Sequence, residues 1–325
     1  MAYRSILAPQ IGAAIAAAVM AVVGISNADP AVSVPTLDAG SAASASAALV
    51  SDLSAFGPSV TLGEALSVQA TQTGIPLRAE TSPITEPVVV TDEILDDTRP
   101  MLAVMIDDVG LDAAAAELLL GLDYPVTLSV LPYADMAPLI AEAAKVLGKD
   151  VFLHLPMEPI GDEDPGPDAL NTDMSRDEIA ERLIDALSVV PNATGFNNHM
   201  GSAFTQNAQS MGYVFESLSD LGSELVFVDS LTHTASIGEQ SARAVGFTAF
   251  SRDVFLDHGG GEGAADQLDL ALELALAQGH AIAIGHPYPQ TLEALDDLMI
   301  KAQNAGVRLV TMEELSQSQR VIQSG

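Results

Sequence analysis

The chain has 325 residues, room for one large domain or two small ones with tails, and it carries 44 acidic against 12 basic residues, a net charge of −32. So many carboxylates repel a phosphate backbone, which excludes nucleic-acid binding through a basic footprint and gives no help in docking onto anionic lipid. With no cysteine, disulfides, thiolate chemistry and sulfur-bound zinc are excluded, so any metal must be held by His, Asp, Glu or water.

In chain order, Arg4 is followed by an Ala/Ile/Val-rich run over 11–25 that leads into Ser26-Asn27-Ala28-Asp29-Pro30. A basic start, an apolar core and small residues at a cleavage point read as a secretory signal, and the apolar stretch over 6–25 is also long enough for a bilayer anchor. Residues 1–28 are therefore expected to export the chain, leaving it periplasmic if cleaved or anchored in the inner membrane, and touching it, if retained. Residues 29–97 are Ala, Ser, Thr, Pro and Val with scattered acids, as in Ser41-Ala-Ala-Ser-Ala-Ser-Ala-Ala-Leu49. They have little to pack with and read as a mostly disordered linker, with one short amphipathic helix near 63–69.

At Met101 the texture changes, and the third segment, 98–325, alternates strand-length apolar runs with helical patterns. Strands are expected over 102–106, 126–131, 151–155, 195–198, 225–228, 247–251, 281–285 and 308–311. Helices are expected over 113–120, 137–147, 175–189, 207–221, 237–244, 265–278 and 290–305, with Ser175 and Asn207 as N-caps. Such alternation implies an α/β domain with a mainly parallel sheet. Polar residues stand at six strand ends: Asp107-Asp108, His154, Asn197-Asn198-His199, Asp229-Ser230, Arg252-Asp253 and His286. A doubly wound sheet would gather them at one switch point, whereas a barrel lets every strand deliver a side chain to one mouth. The expected architecture is a distorted (β/α) barrel of seven to eight parallel strands behind the linker.

Two adjacent carboxylates such as Asp107 and Asp108 repel each other unless a cation or a shared proton intervenes. At a strand end one can ligate a metal while the other serves as general base on bound water; alone, the pair is also compatible with a solvated turn or a helix cap. Three of the six histidines, His154, His199 and His286, fall at strand ends beside the pair. Together these residues match a His/Asp shell for Zn²⁺ or a similar divalent ion.

Six blocks carry a more specific signal: Ala103-Val-Met-Ile-Asp-Asp-Val-Gly110, His154-Leu-Pro-Met-Glu-Pro159, Asn197-Asn-His-Met-Gly-Ser202, Phe227-Val-Asp-Ser230, Arg252-Asp-Val-Phe-Leu-Asp257 and Gly285-His-Pro-Tyr-Pro289. In this order they resemble the divergent polysaccharide deacetylase family over about 100–315. The resemblance implies a distorted barrel related to the enzymes that remove acetyl groups from N-acetylated sugars with a divalent metal. It implies Asp107 as base, Asp108 and His199 as metal ligands, and His286 as general acid, unless His286 only bridges the following Pro-Tyr-Pro turn. In the conventional enzymes a second histidine stands four residues after the first; here that position is Ala203, so either His154 supplies the missing ligand, the preferred expectation, or the metal site is weaker or absent. Asp253, held by Arg252, is a candidate to tune His286 or Asp107, and Asn197, Asn198 and Asp229 to orient ligands or bind sugar hydroxyls, each of these roles, like that of Glu158, standing against ordinary loop capping. Glu158 is a further candidate ligand.

The reading that follows is an exported metal-dependent hydrolase acting on an acetylated glycan of the envelope or the exterior. The competing reading is a non-catalytic envelope protein that binds glycan or a partner on the same scaffold, which Ala203 favours and the retained Asp pair and histidines oppose. A phosphoesterase is disfavoured because Arg252 is the single cation at the mouth. No G-x-S-x-G elbow or G-x-x-x-x-G-K-[ST] loop occurs, and Gly259-Gly-Gly-Glu-Gly263 reads as a flexible loop. Tyr133, Tyr288 and Phe204 offer sugar-stacking faces, but with no tryptophan and 4% aromatic residues a long polysaccharide platform is not supported.

Overall fold

The structure is a computed structural model that describes residues 97–324 apart from Gly259. The expected leader over 1–28, the linker up to Asp96 and the short helix near 63–69 lie outside the described residues. The elements run β1 (Met101–Val109), α1 (Ala113–Leu120), β2 (Thr127–Val130), α2 (Ala137–Val146), β3 (Asp150–Met157), α3 (Arg176–Val189), β4 (Gly195–Met200) and α4 (Ala208–Asp220). They continue through β5 (Val226–Asp229), α5 (Gly238–Ala244), β6 (Ala249–Ser251), β7 (Val254–Phe255), α6 (Ala264–Gln278), β8 (His280–Gly285), α7 (Pro289–Leu295), α8 (Leu298–Ala305), β9 (Arg308–Val310) and α9 (Met312–Ser324). Ser175 forms a capping box with Glu178 at α3, and the Asn207 side chain accepts from the amides of Gln209 and Ser210 at α4.

The strands pair in parallel in the order β6-β5-β4-β3-β2-β1-β8-β7, with β9 on the first residues of β1. The two ends of that row are consecutive in the chain. Ser251 still pairs with Asp229 of β5, the Arg252 amide donates to the Asp229 carbonyl at 3.0 Å, and the Asp253 amide already donates to Ile282 of β8 at 2.9 Å. One bent segment thus crosses from the β5 edge to the β8 edge and closes the sheet into a distorted barrel. The strand expected over 247–251 is the first half of that segment, and β7 is its continuation.

Two helical expectations change. The single helix over 290–305 is broken at Asp296-Asp297, where the Tyr124 hydroxyl donates to the Leu295 carbonyl at 2.7 Å and so competes for the oxygen that a continuing helix would use. Helix α9 was not expected, although Thr311 and Glu314 carry its capping box, each side chain bonded to the other's amide at 3.1 Å.

The interior of the barrel shows how the sheet positions the site. Met101, Ala103 and Met105 of β1, Phe152 of β3, Val226 and Val228 of β5, Phe250 of β6, and Ile282 and Ile284 of β8 form one buried cluster. Strands on opposite sides of the ring can share a cluster only through its inside, and Met312 and Leu315 of α9 join it from below. Side chains alternate across a strand with period two. The next inward positions after the cluster are therefore Asp107, His154, Ser230, Arg252 and His286, one polar residue from each of these strands. Gly195 continues the pattern on β4 to Asn197 and His199; its missing Cβ leaves room for the Phe152 ring and the Val226 carbonyl. The opposite face of β4 and β5 presents Phe196 and Phe227, which pack with Phe215 of α4 at ring-centroid distances of 4.8–6.0 Å.

Candidate metal centre and active site

The inward polar residues line a cleft of about 420 Å³ at the C-terminal mouth, together with Asp108, Asn198, His199, Met200, Leu231, Thr232, Phe255 and His258. By alternation Asp108 would point outward, away from Asp107. It does not, because the β1–β2 register shifts between Ile106 and Val109 and Asp108 adopts φ 55°. This bulge turns both carboxylates of the pair into the cleft. Met200 and Leu231, at the ends of β4 and β5, hold φ of 50° and 51°. A left-handed non-glycine residue costs about 1–3 kcal/mol, so three around one cleft mark a mouth whose shape the surrounding fold enforces.

Asp108 Oδ1 lies 2.8 Å from His199 Nδ1 and 3.2 Å from His154 Nε2, and those two nitrogens are 3.2 Å apart. Ligands on a tetrahedral Zn²⁺ at about 2.1 Å sit about 3.4 Å from one another, so this slightly tighter triangle approximates one face of such a shell. Asp108 Oδ1 is buried without a hydrogen-bond partner, since neither imidazole contact has hydrogen-bond geometry. A buried orphan oxygen facing two imidazole nitrogens is the donor set a borderline divalent cation prefers. Burial works to raise the Asp108 carboxyl, but the two imidazoles beside it outweigh burial and hold it well below the ordinary range. For His154 burial pulls the other way, and the charges of Asp107 and Asp108 raise it.

Asp107 and His286 flank the triangle. Asp107 is 3% exposed; its Oδ1 accepts from Asn197 Nδ2 at 2.8 Å and its Oδ2 lies 3.7 Å from His154 Nε2. His286 Nε2 is 3.7 Å from Asp108 Oδ2, while Nδ1 is 3.1 Å from Asp257 Oδ1. The other Asp257 oxygen accepts from the His286 amide and from Thr291 Oγ1. Burial lowers the His286 pKa, yet the bond to Asp257 and the charges of Asp107, Asp108 and Asp257 together push it up to about 9. Without a bound ion these carboxylates favour the charged His286 ring, whose Nε2 is turned to the cleft and is the atom that could give up a proton there.

The structure gathers Asp107, Asp108, His154, His199 and His286 around one point, with Asn197 directly behind them. It does not bring the other expected residues to that point. Asp253 turns away to accept from the Ile282 amide at 2.8 Å and from Gln278, so the carboxylate beside His286 is Asp257 instead. Asp257 stands in the same sequence block as Arg252, but only the crossing from β5 to β8 shows which of the block's two acids faces inward. Arg252 holds neither; its Nε and Nη2 donate to the carbonyls of Ser230 and Leu231 and its guanidinium lies 4.8 Å over the Phe255 ring. Glu158 accepts from the amide and hydroxyl of Thr172, outside the ligand triangle. Asp229 caps its own loop through Leu231, Ser236 and Glu239, and Asn198 ties the Met200 carbonyl to the Ser230 amide. Ala203 contributes backbone groups alone: its amide donates to the Glu158 carbonyl and its carbonyl accepts from the Gln206 amide.

With this geometry in place, a comparison with known families decides the relationship: the model of the family described as divergent polysaccharide deacetylase matches residues 104–316. The chain belongs to that family. Among relatives of this deacetylase-family protein, an uncharacterized protein of Haemophilus influenzae is 32% identical over 222 residues, 68% of this chain and 78% of the relative. The uncharacterized protein YibQ of Escherichia coli is 35% identical over 201 residues, 61% of this chain and 62% of its own length. The chain thus spans less than two thirds of the second relative. A crystal structure of an uncharacterized protein of Agrobacterium tumefaciens superposes with a TM-score of 0.63 at 23% identity, over 67% of this chain and 89% of the other, and shares the fold.

Proposed function

We propose that this family member is a metal-dependent deacetylase of an acetylated glycan, with Zn²⁺ or a similar ion held by Asp108, His154 and His199. The observation that carries the reading is the ligand triangle of 2.8–3.2 Å edges flanked by the buried Asp107 carboxylate and by His286, which Asp257 holds. Bound there, the ion would supply Lewis-acid polarisation of the acetyl carbonyl and a lowered pKa for the attacking water. Asp107, oriented through Oδ1 and with Oδ2 without a hydrogen bond, takes the proton of that water. His286, held by Asp257, protonates the departing amine or alkoxide. These residues line the cleft, and next to His286 the Tyr288 ring, 5.7 Å away between centroids and 42% exposed, offers a face to a sugar. The basic and apolar start of the sequence supports an envelope location for this activity.

The test is elemental analysis of the full chain followed by acetate release from N-acetylated glycan fragments. One divalent ion per chain, lost in His154→Ala and in His199→Ala, is expected, with Asp107→Asn keeping the ion and losing turnover. A chain that binds no ion and shows no change in Asp107→Asn would overturn the reading and leave a glycan-binding scaffold.

A further inference from the structure

Asn197 is fully buried on β4, opposite His154 of β3 in the strand register. Its amide uses every bond it can make. Nδ2 donates to Asp107 Oδ1 at 2.8 Å and to Ser230 Oγ at 3.0 Å, while Oδ1 meets His154 Nδ1 at 2.9 Å and takes the Ser129 hydroxyl. The orientation of this amide is not a free choice. A carboxylate oxygen only accepts, so the nitrogen must face Asp107, and the amide oxygen must then face His154. That oxygen can only accept, so His154 Nδ1 carries a proton. In the neutral ring the lone pair is then confined to Nε2, the atom that points at Asp108 Oδ1 and His199 Nδ1. One side chain thereby decides which nitrogen of His154 is available as a ligand and how Asp107 is aimed.

We infer that Asn197 is a positioning residue that couples the ligand His154 to the base Asp107; the second half of that coupling rests on the deacetylase reading of the site, and the first does not. Both links pass through one rigid, water-excluded amide, so a single substitution can cut one and spare the other. In Asn197→Asp a carboxylate oxygen still accepts from His154 Nδ1, but no N–H remains for Asp107. In Asn197→Ala both links are lost.

The experiment loads the full chain and both variants with Co²⁺ as probe. It reads affinity from the visible absorption titration, and kcat and KM from acetate release on N-acetylated chitooligosaccharides. Asn197→Asp is expected to hold Co²⁺ within about threefold of the parent, while kcat falls about 100-fold or more with KM little changed. Asn197→Ala is expected to lose about 10- to 100-fold in Co²⁺ affinity as well. A purely structural amide would move the melting temperature in both variants without separating Co²⁺ affinity from kcat. Equal loss of Co²⁺ in the two variants, or unchanged kcat in both, overturns the inference. Should the parent chain bind Co²⁺ yet release no acetate, the deacetylase reading fails while the affinity comparison still decides the link to His154. Should the variants not fold, ¹⁵N NMR of the ion-loaded parent serves: a protonated Nδ1 on His154 is expected, and Nδ1 found as the ion-bound nitrogen overturns the inference.

Discussion

Replacing Asp257 by Asn tests the electrostatics of the site without changing its shape. Asp257 Oδ1 is 3.1 Å from His286 Nδ1, and the carboxylate also accepts from the His286 amide and from Thr291. In the metal-free chain the His286 pKa is pushed from 6.5 to about 9 against the effect of burial. At about 1.36 kcal/mol per pKa unit this amounts to roughly 3 kcal/mol of preference for the charged ring, shared among Asp257, Asp107 and Asp108. The bond to Asp257 is the largest of the raising contributions, so Asp257→Asn is expected to lower the His286 pKa by about one to two units. The folded-state pKa lies above the unfolded one, so the stabilisation is fully present below about pH 6.5 and is lost as pH rises through about 9. The parent should therefore lose its advantage over Asp257→Asn across that window, and the two should converge above it. The assay is NMR titration of the His286 ring in chelator-treated protein, paired with urea unfolding at several pH values. If His286 titrates at the same pH in both proteins, Asp257 is not the group that holds its charge and the reasoning fails.

Three further outcomes are expected. Gly195→Ala places a Cβ 2.5 Å from the Val226 carbonyl oxygen and closer still to the Phe152 ring, and should destabilise the fold by about 3 kcal/mol in urea unfolding; a loss under about 1 kcal/mol would mean the floor of the site is loosely packed. Asp150→Ala removes a buried acceptor of the Thr127 and Thr194 hydroxyls and of the Glu313 amide at the start of α9, and should cost about 2–4 kcal/mol, read the same way. Glu158→Ala should leave the divalent-ion content unchanged by elemental analysis, because that carboxylate is bonded to Thr172; loss of the ion would return Glu158 to the ligand set.

The alternation of apolar runs and helical patterns determined the α/β class, and polar residues at six strand ends pointed to a mouth. Those are local properties, written in periodicity and in the residues that follow each apolar run. The resemblance marked Ala203 as a position without its expected histidine and made His154 the candidate to stand in for it, and the fold brings His154 beside Asp108 and His199. Which atoms converge could not be read there. That Asp107 and Asp108 face the same way depends on a bulge and a left-handed residue, both products of the β1–β2 pairing. That Asp257 rather than Asp253 serves His286 depends on where the chain crosses from the β5 edge to the β8 edge. That Asn197 joins base to ligand depends on packing one amide among side chains from β1, β2, β3 and β5. A strand's period says which residues share a face; only closure of the barrel decides what they meet inside.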